Sequence, residues 1–142
     1  MKIEVEVISE RIADKLQQAG EAAQIYYGKL LLRYADPYTP FKTGTLKNSA
    51  YVEGDYLIYP APYARMHWYG KKMIDPKLKA ADFLTKDGWR SRKGVKKVKT
   101  DEDLEYNEAP IRGPFWIERM WADKHDTITR EISAVIARGF NR

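Results

Sequence analysis

Two long stretches of helical apolar periodicity, one near each end of the chain, constrain its fold most. The first stripe comprises Ile12, Leu16, Ala23, Tyr26, Leu30 and Tyr34, and the second comprises Ile117, Trp121, Ile128, Ile132 and Val135. Apolar residues spaced by three, four or seven positions lie on one face of a helix. The pattern therefore predicts two long amphipathic helices, over residues 10–35 and 114–138.

Local signals indicate where these helices begin and end. Proline disfavours helical geometry in the residue before it, so Asp36-Pro37 predicts the end of the first helix. Ser9 is a candidate N-cap for the same helix, because its hydroxyl can accept a hydrogen bond from an N–H of the first turn. Pro114 stands at the expected first position of the second helix and Gly139 just after its expected end.

The centre of the chain predicts β-structure. Residues 50–53 and 56–59 flank the pair Gly54-Asp55, a pattern typical of a β-hairpin. Near the N-terminus, residues 2–8 alternate charged and apolar side chains, as a short strand does. We therefore expect a small antiparallel sheet that includes the hairpin.

Residues 63–69 are rich in aromatic side chains and fit either a third strand or a short helical turn. With the helices and the hairpin they complete an α+β domain, in which two long helices pack on a small antiparallel sheet. A chain of 142 residues has the size of one ordinary domain. We therefore expect residues 1–142 to form a single domain.

Charge is distributed unevenly over residues 71–109. Between residues 71 and 99 the chain has 11 Lys and Arg residues and three Asp residues, whereas residues 100–108 contain five acidic residues and no basic one. Because the periodicity here is weak, we expect a long charged insertion, a loop in which opposite charges balance. The basic block could instead contact DNA or an acidic neighbouring subunit.

Apolar and cationic residues within this insertion are candidates for an interface with a partner. Aromatic side chains contribute disproportionately to interfaces, and Lys and Arg can hold phosphates or acidic surfaces. The candidate interface residues are Phe83, Leu84, Trp89, Arg90, Arg92, Lys93, Lys96 and Lys97.

No pattern in the chain indicates catalysis, a metal site or a cofactor. The absence of cysteine excludes disulfides and thiolate ligands. The only histidines, His67 and His125, lack the spacing of metal ligands, and no Gly-x-Ser-x-Gly motif is present. We expect no enzyme activity, folding in the cytosol, and no membrane span, since no apolar run approaches about 20 residues.

Three short motifs follow one another along the chain. Residues 38–49 read Tyr-Thr-Pro-Phe-Lys-Thr-Gly-Thr-Leu-Lys-Asn-Ser, residues 62–70 read Pro-Tyr-Ala-Arg-Met-His-Trp-Tyr-Gly, and residues 113–116 read Gly-Pro-Phe-Trp. Individually each motif fits a turn or packing residues; Gly44, for example, would permit a turn with positive φ. The functional inference depends on their order.

In this order the motifs resemble those of the minor capsid and neck proteins of tailed bacteriophages, the small head–tail joining and tail-completion proteins. The resemblance covers residues 9–70 and 110–138. Residues 66–69, and Lys71 after the glycine, depart from many relatives and favour the minor capsid branch. The resemblance gives a structural role to Thr43, Gly44, Leu46, Ser49, Pro62, Tyr63, Ala64, Gly70, Pro114 and Trp116.

The resemblance implies a structural protein of the virion, made in the host cytoplasm and located at the head–tail junction, without catalytic residues or a cofactor. It also implies a cyclic homo-oligomer, such as a hexamer or dodecamer, that encloses the DNA path and binds neighbouring neck, tail or head-completion proteins. The residues themselves leave an alternative open, a nucleic-acid-binding module that acts through the basic segment 71–99.

Overall fold

The protein is a mixed α/β chain with small antiparallel sheets. The computed structural model describes residues 1–5, 10–40, 45–61, 63–80, 83–86, 88–90 and 92–139. The helices of these residues are α1 (Glu10–Ala19), α2 (Glu21–Ala35), α3 (Thr45–Ser49), α4 (Ala64–Tyr69) and α5 (Trp116–Arg138), with a short 3-10 turn at Asp36–Tyr38. The strands are β1 (Lys2–Glu4), β2 (Tyr51–Glu53), β3 (Tyr56–Ile58), β4 (Lys71–Ile74), β5 (Phe83–Thr85), β6 (Gly88–Arg90) and β7 (Val98–Asp103).

The predicted N-terminal helix is interrupted, so the expectation of two long helices is wrong for this half of the chain. Gly20 separates α1, of 10 residues, from α2, of 15 residues. Glycine is a poor helix former because it loses the most backbone entropy on folding. Leu16 and Ala23 are seven residues apart, so the apolar stripe continues in phase on both sides of Gly20. The periodicity of the sequence therefore does not reveal the break in the helix. As predicted, α2 ends just before Asp36-Pro37.

The predicted hairpin is confirmed. Strands β2 and β3 pair antiparallel across Gly54-Asp55, and β1 pairs with the other side of β3, so the sheet order is β1-β3-β2. The register places Ile3, Leu57 and Val52 in one row, and all three pack on the core. Ser9, the predicted cap, lies outside the described residues.

Trp116 lies at the centre of the core. Its side chain is fully buried, 5.2 Å from the ring of Tyr59 and 4.9 Å from that of Trp68, both in edge-to-face arrangements. Such aromatic pairs add to the free energy gained from burial. The core also contains buried residues of α2 and α5, among them Ala23, Tyr27, Leu30, Leu31, Ala35, Ile117, Met120, Ile128 and Ile132. No helix in the described part of the chain has the length and apolar character needed to cross a membrane.

Helix α5 begins later than predicted. Its first residue is Trp116 rather than Pro114, and Phe115 precedes it with a positive φ of 52°. This geometry directs the N–H of Phe115 to the carbonyl oxygen of Trp68, at 3.0 Å, so a bond to a distant helix sets the start. At the other end Gly139 follows the helix with a φ of 86°, as predicted.

The segment between residues 71 and 109 is not a structureless insertion. Strand β4 pairs antiparallel with β7, and β5 pairs with β6, which makes two separate two-stranded sheets. The pattern failed here because these strands are only three to six residues long and seven of their sixteen residues are charged, so no apolar alternation marks them. The ambiguous residues 63–69 form helix α4 rather than a third strand.

Candidate functional site

The two sheets between residues 71 and 103 form the candidate functional surface. We call β4 with β7 the long ribbon and β5 with β6 the short ribbon. The chain enters the long ribbon through Gly70, whose left-handed φ of 70° ends α4 and turns the backbone into β4. No described hydrophobic side chain between residues 71 and 109 is fully buried in the core. The ribbons therefore leave most of their side chains available to a partner.

Opposite charges face each other across the long ribbon. Lys71 forms an ion pair with Asp103, and the Nζ of Lys72 lies 3.9 Å from a carboxylate oxygen of Glu102. The hydroxyl of Thr100 donates a hydrogen bond of 2.7 Å to the carbonyl oxygen of Lys72. The acidic block of the sequence thus neutralises the first lysines of the basic block within the same chain.

An ion pair between the buried Asp75 and the partly exposed Arg92 joins the end of β4 to the segment after the short ribbon. Arg92 donates from Nε to Oδ2 of Asp75 at 2.6 Å, and from Nη2 to Oδ1 at 2.9 Å. Oδ1 also accepts hydrogen bonds from the N–H groups of Lys77 and Leu78. The bond from Arg92, with the two backbone donors, holds the pKa of Asp75 well below its usual range, although burial opposes it. Arg92 therefore has a structural partner within the chain.

The short ribbon and the residues after it expose the other candidate interface residues. Leu84, on β5, is 68% exposed. Phe83 and Trp89 lie on β5 and β6, paired in register with Arg90 and Leu84, but their side chains lie outside the description. Among the remaining candidates, Arg90, Lys93 and Lys96 are exposed and Lys97 is half-buried. Leu84, Arg90, Lys93 and Lys96 are therefore exposed to solvent, whereas Arg92 and Lys97 are half-buried.

Two exposed aromatic rings lie close to the start of the long ribbon, where α4 leads into β4. Tyr69 and Phe115 are 40% and 37% exposed, and their ring centroids are 6.1 Å apart. The ammonium group of Lys99, on β7, lies 5.1 Å from the ring of Tyr69, within the range of a cation–π interaction. The long ribbon therefore contacts helix α4 through the Lys99 cation and the Tyr69 ring.

Two arginines hold the segment between the long ribbon and α5 in place through hydrogen bonds to backbone oxygens. Nη1 of Arg112 donates to the carbonyl oxygens of Asp36 and Thr39, each at 2.7 Å. Arg119 reaches back to the same segment, with Nε 2.7 Å from the carbonyl oxygen of Pro114. Donors that carry a charge make stronger hydrogen bonds than neutral ones. These bonds fix the return of the chain from the ribbon to the core.

Tyr106 ties the same segment to α4. Its hydroxyl donates a hydrogen bond of 2.7 Å to the carbonyl oxygen of His67, and burial raises its pKa to about 12. The His67 ring lies edge-on to Tyr63, with centroids 5.6 Å apart, and is half-buried. His125 is exposed on α5, with Nδ1 3.0 Å from the carbonyl oxygen of Trp121. The two histidines therefore lie in separate environments.

The structure describes seven of the ten family-motif residues. Leu46 and Ala64 are buried, as Trp116 is, so these positions support packing. Ser49 donates its hydroxyl to the carbonyl oxygen of Leu46 at 3.1 Å, and Tyr63 is 36% exposed. Gly70 lies against Pro114. Thr43, Gly44 and Pro62 lie outside the described residues, so the positive φ expected for Gly44 stays a prediction.

Sequence reasoning missed Asp75, Arg112 and Arg119. Asp75 precedes a proline, and the Asp-Pro pair favours the start of a turn, so a signal for it was present. The two arginines donate to backbone oxygens that any residue could supply, and no pattern marks such partners. No group of three or more His, Asp or Glu side chains in the described ranges is arranged to hold a metal ion.

Comparison with known proteins gives a family for the chain. Neither a curated protein nor a solved structure was found that matches it. A family model described as minor capsid protein matches residues 1–113 of the 142, from β1 through both ribbons to the segment held by Arg112. The chain therefore belongs to the minor capsid protein family, whose members are structural proteins of the phage virion.

Proposed function

We propose that this minor capsid protein is a neck subunit, which forms a ring around the DNA path and joins the capsid to the tail. The observation behind the proposal is the pair of ribbons between residues 71 and 103. They occupy a large part of a small chain. Among the side chains that the structure describes between residues 71 and 103, however, only that of Asp75 is fully buried. Exposed strands of this kind are suited to contacts with other subunits.

A ring needs two different surfaces on each subunit, because a heterologous contact repeats around a cyclic axis. The ribbons supply one surface, with exposed Leu84 and several lysines. The three-stranded sheet offers the second surface, because its Tyr51 and Tyr56 side chains are 48% and 41% exposed. Tyrosine is enriched at protein interfaces.

A nucleic-acid-binding module acting through residues 71–99 is the second candidate. Exposed Arg90, Lys93 and Lys96 favour it. Against it, Arg92 is held by Asp75, and Lys71 and Lys72 face carboxylates across the long ribbon. Direct phosphate contacts would make DNA affinity fall steeply with salt, so binding measured at several salt concentrations separates this module from a protein interface.

Deletion of the short ribbon tests the neck proposal. Ile74 and Val98 are register partners in the long ribbon, so a two- to four-residue Gly/Ser turn can replace residues between 75 and 97 without breaking β4 or β7. We expect the purified variant to stay folded by circular dichroism, while phage that depend on it yield DNA-filled heads without tails. A wild-type chain that immunogold labelling places away from the head–tail junction would contradict the proposal.

A further inference from the structure

On one face of the three-stranded sheet, five of the six described side chains are exposed and one, Ile58, is buried. Ile3, Val52 and Leu57 point to the core, so the residues between them point to the other face. We call this the outer face. Its register gives two rows, Lys2–Ile58–Tyr51 and Glu4–Tyr56–Glu53. Because both tyrosines are more than two-fifths exposed, the outer face presents aromatic surface to solvent.

The turn end of the outer face is acidic. Glu4 and Glu53 flank Tyr56 on the neighbouring strands, and Asp55 lies in the adjoining turn; all three are exposed. Within the described part of the chain, none of the three carboxylates forms an ion pair. The ammonium group of Lys2, from the other row of this face, lies 5.6 Å from the centroid of the Tyr56 ring. A partner with exposed cations and apolar groups would therefore complement this end of the face.

The chain itself contains such a partner surface. Between residues 83 and 97 there are six basic residues and one acidic residue. Lys86 lies at the tip of the short ribbon, Lys93 and Lys96 follow it, and all three are exposed. Leu84, which is 68% exposed, adds an apolar group to the same element.

We propose that in the ring the outer face of one subunit receives the short ribbon of the next copy of the chain. Lysines of the ribbon would lie against Glu4 and Glu53, and Leu84 against the tyrosines. The arrangement rests on the proposed ring, and it is heterologous because the two surfaces are different and lie on different elements. Charge complementarity of this kind fixes orientation and suppresses wrong partners.

Charge reversal on each surface tests the contact in the full chain. One variant carries Glu4→Lys with Glu53→Lys, and the other carries Lys86→Glu, Lys93→Glu and Lys96→Glu. The control, Asp14→Lys with Asp126→Lys, reverses two exposed carboxylates on helices outside both surfaces. A milder variant, Glu4→Gln with Glu53→Gln, removes the charges at nearly constant size. Self-association is measured by sedimentation velocity and native mass spectrometry, after thermal melting shows that each variant is folded.

We expect each reversed variant alone to associate at least about tenfold more weakly than the wild type, because like charges then meet. An equal mixture of the two should recover association, since every reversed surface then finds an opposite one. The Gln variant should lose less, and the control nothing. Association that survives both reversals, or that the mixture fails to recover, would overturn the proposed contact and leave the neck proposal standing. A wild type that stays monomeric would also overturn it, whereas virion labelling decides the neck location independently.

Discussion

Gly70 lies in direct contact with Pro114. A Cβ added at Gly70 would be 3.1 Å from the Cβ of Pro114 and 3.2 Å from its Cγ, closer than side chains normally pack. One residue ends the second sequence motif and the other belongs to the third. The bond from the N–H of Phe115 to the carbonyl oxygen of Trp68 joins the same two motifs. The second and third motifs, which are far apart along the chain, are therefore packed together.

Replacing Gly70 with alanine should lower the free energy of unfolding by about 2–3 kcal/mol. Part of the loss comes from the left-handed φ of 70°, which costs a residue with a side chain about 1–2 kcal/mol. The rest comes from crowding against Pro114. Gly94→Ala is the matched control, because Gly94 has the same φ of 70° with nothing within 4 Å of an added Cβ. If Gly70→Ala and Gly94→Ala lower the free energy of unfolding in urea equally, the Pro114 contact contributes nothing to the cost at Gly70.

The features that could be predicted from the sequence are those with local causes. The hairpin at Gly54-Asp55 and the end of α2 at Asp36-Pro37 follow from backbone preferences of the residues involved. Leu46 and Trp116, to which the resemblance gives a structural role, are both buried. These assignments needed no knowledge of distant partners.

What the sequence could not show depends on distant contacts. The long ribbon pairs Lys71 with Asp103, and nothing in either strand identifies the other. The start of α5 is set by the carbonyl oxygen of Trp68. At the candidate site, Arg92 was grouped with the exposed cations because its partner, Asp75, becomes adjacent only when the ribbons form.

Asp75→Asn should destabilise the chain and remove part of its acid sensitivity. The pKa of Asp75 is lower in the folded chain than its unfolded value of about 4, chiefly because Arg92 binds the carboxylate. Its stabilisation is therefore complete above about pH 5 and is lost as the pH falls through the folded pKa. The difference in unfolding free energy between wild type and variant should be constant from pH 5 to 7 and shrink below about pH 4.

Exposed Asp14, changed to Asn, is the control for this pH series. It should leave the wild-type acid profile unchanged. Hydrogen exchange gives a second measure, because loss of the pair should speed exchange in β4 and β7 more than in α5. A uniform increase over the whole chain would contradict a local role for the ion pair.

Tyr59→Phe should make the fold more resistant to alkali. Burial raises the pKa of Tyr59 to about 12 from an ordinary value of 10, so the folded chain keeps the phenol neutral. The stability that depends on the neutral form is complete below about pH 10 and is lost as the pH rises towards 12, by on the order of 2–3 kcal/mol. Unfolding monitored by circular dichroism between pH 9 and 12 should show a flatter profile for the variant. Tyr106, whose pKa is also about 12, should keep some sensitivity in it. An unchanged alkaline midpoint would contradict the assignment.

Arg112→Ala should cost more stability than the loss of a surface ion pair. The side chain of Arg112 is 14% exposed, and its removal leaves the carbonyl oxygens of Asp36 and Thr39 without this donor. Hydrogen bonds from a charged donor contribute about 1.5–3 kcal/mol, so a loss of about 2–3 kcal/mol is expected in urea unfolding. Arg33→Ala is the control: Arg33 is 63% exposed and pairs with Glu131 at 2.7 Å, and its loss should cost less than about 1 kcal/mol. If the two variants lose equal stability, Arg112 does not fasten the chain between the ribbons and α5. If Arg112→Ala loses more, the same variant should also weaken ring formation, because the ribbons would no longer be held in one orientation to the core.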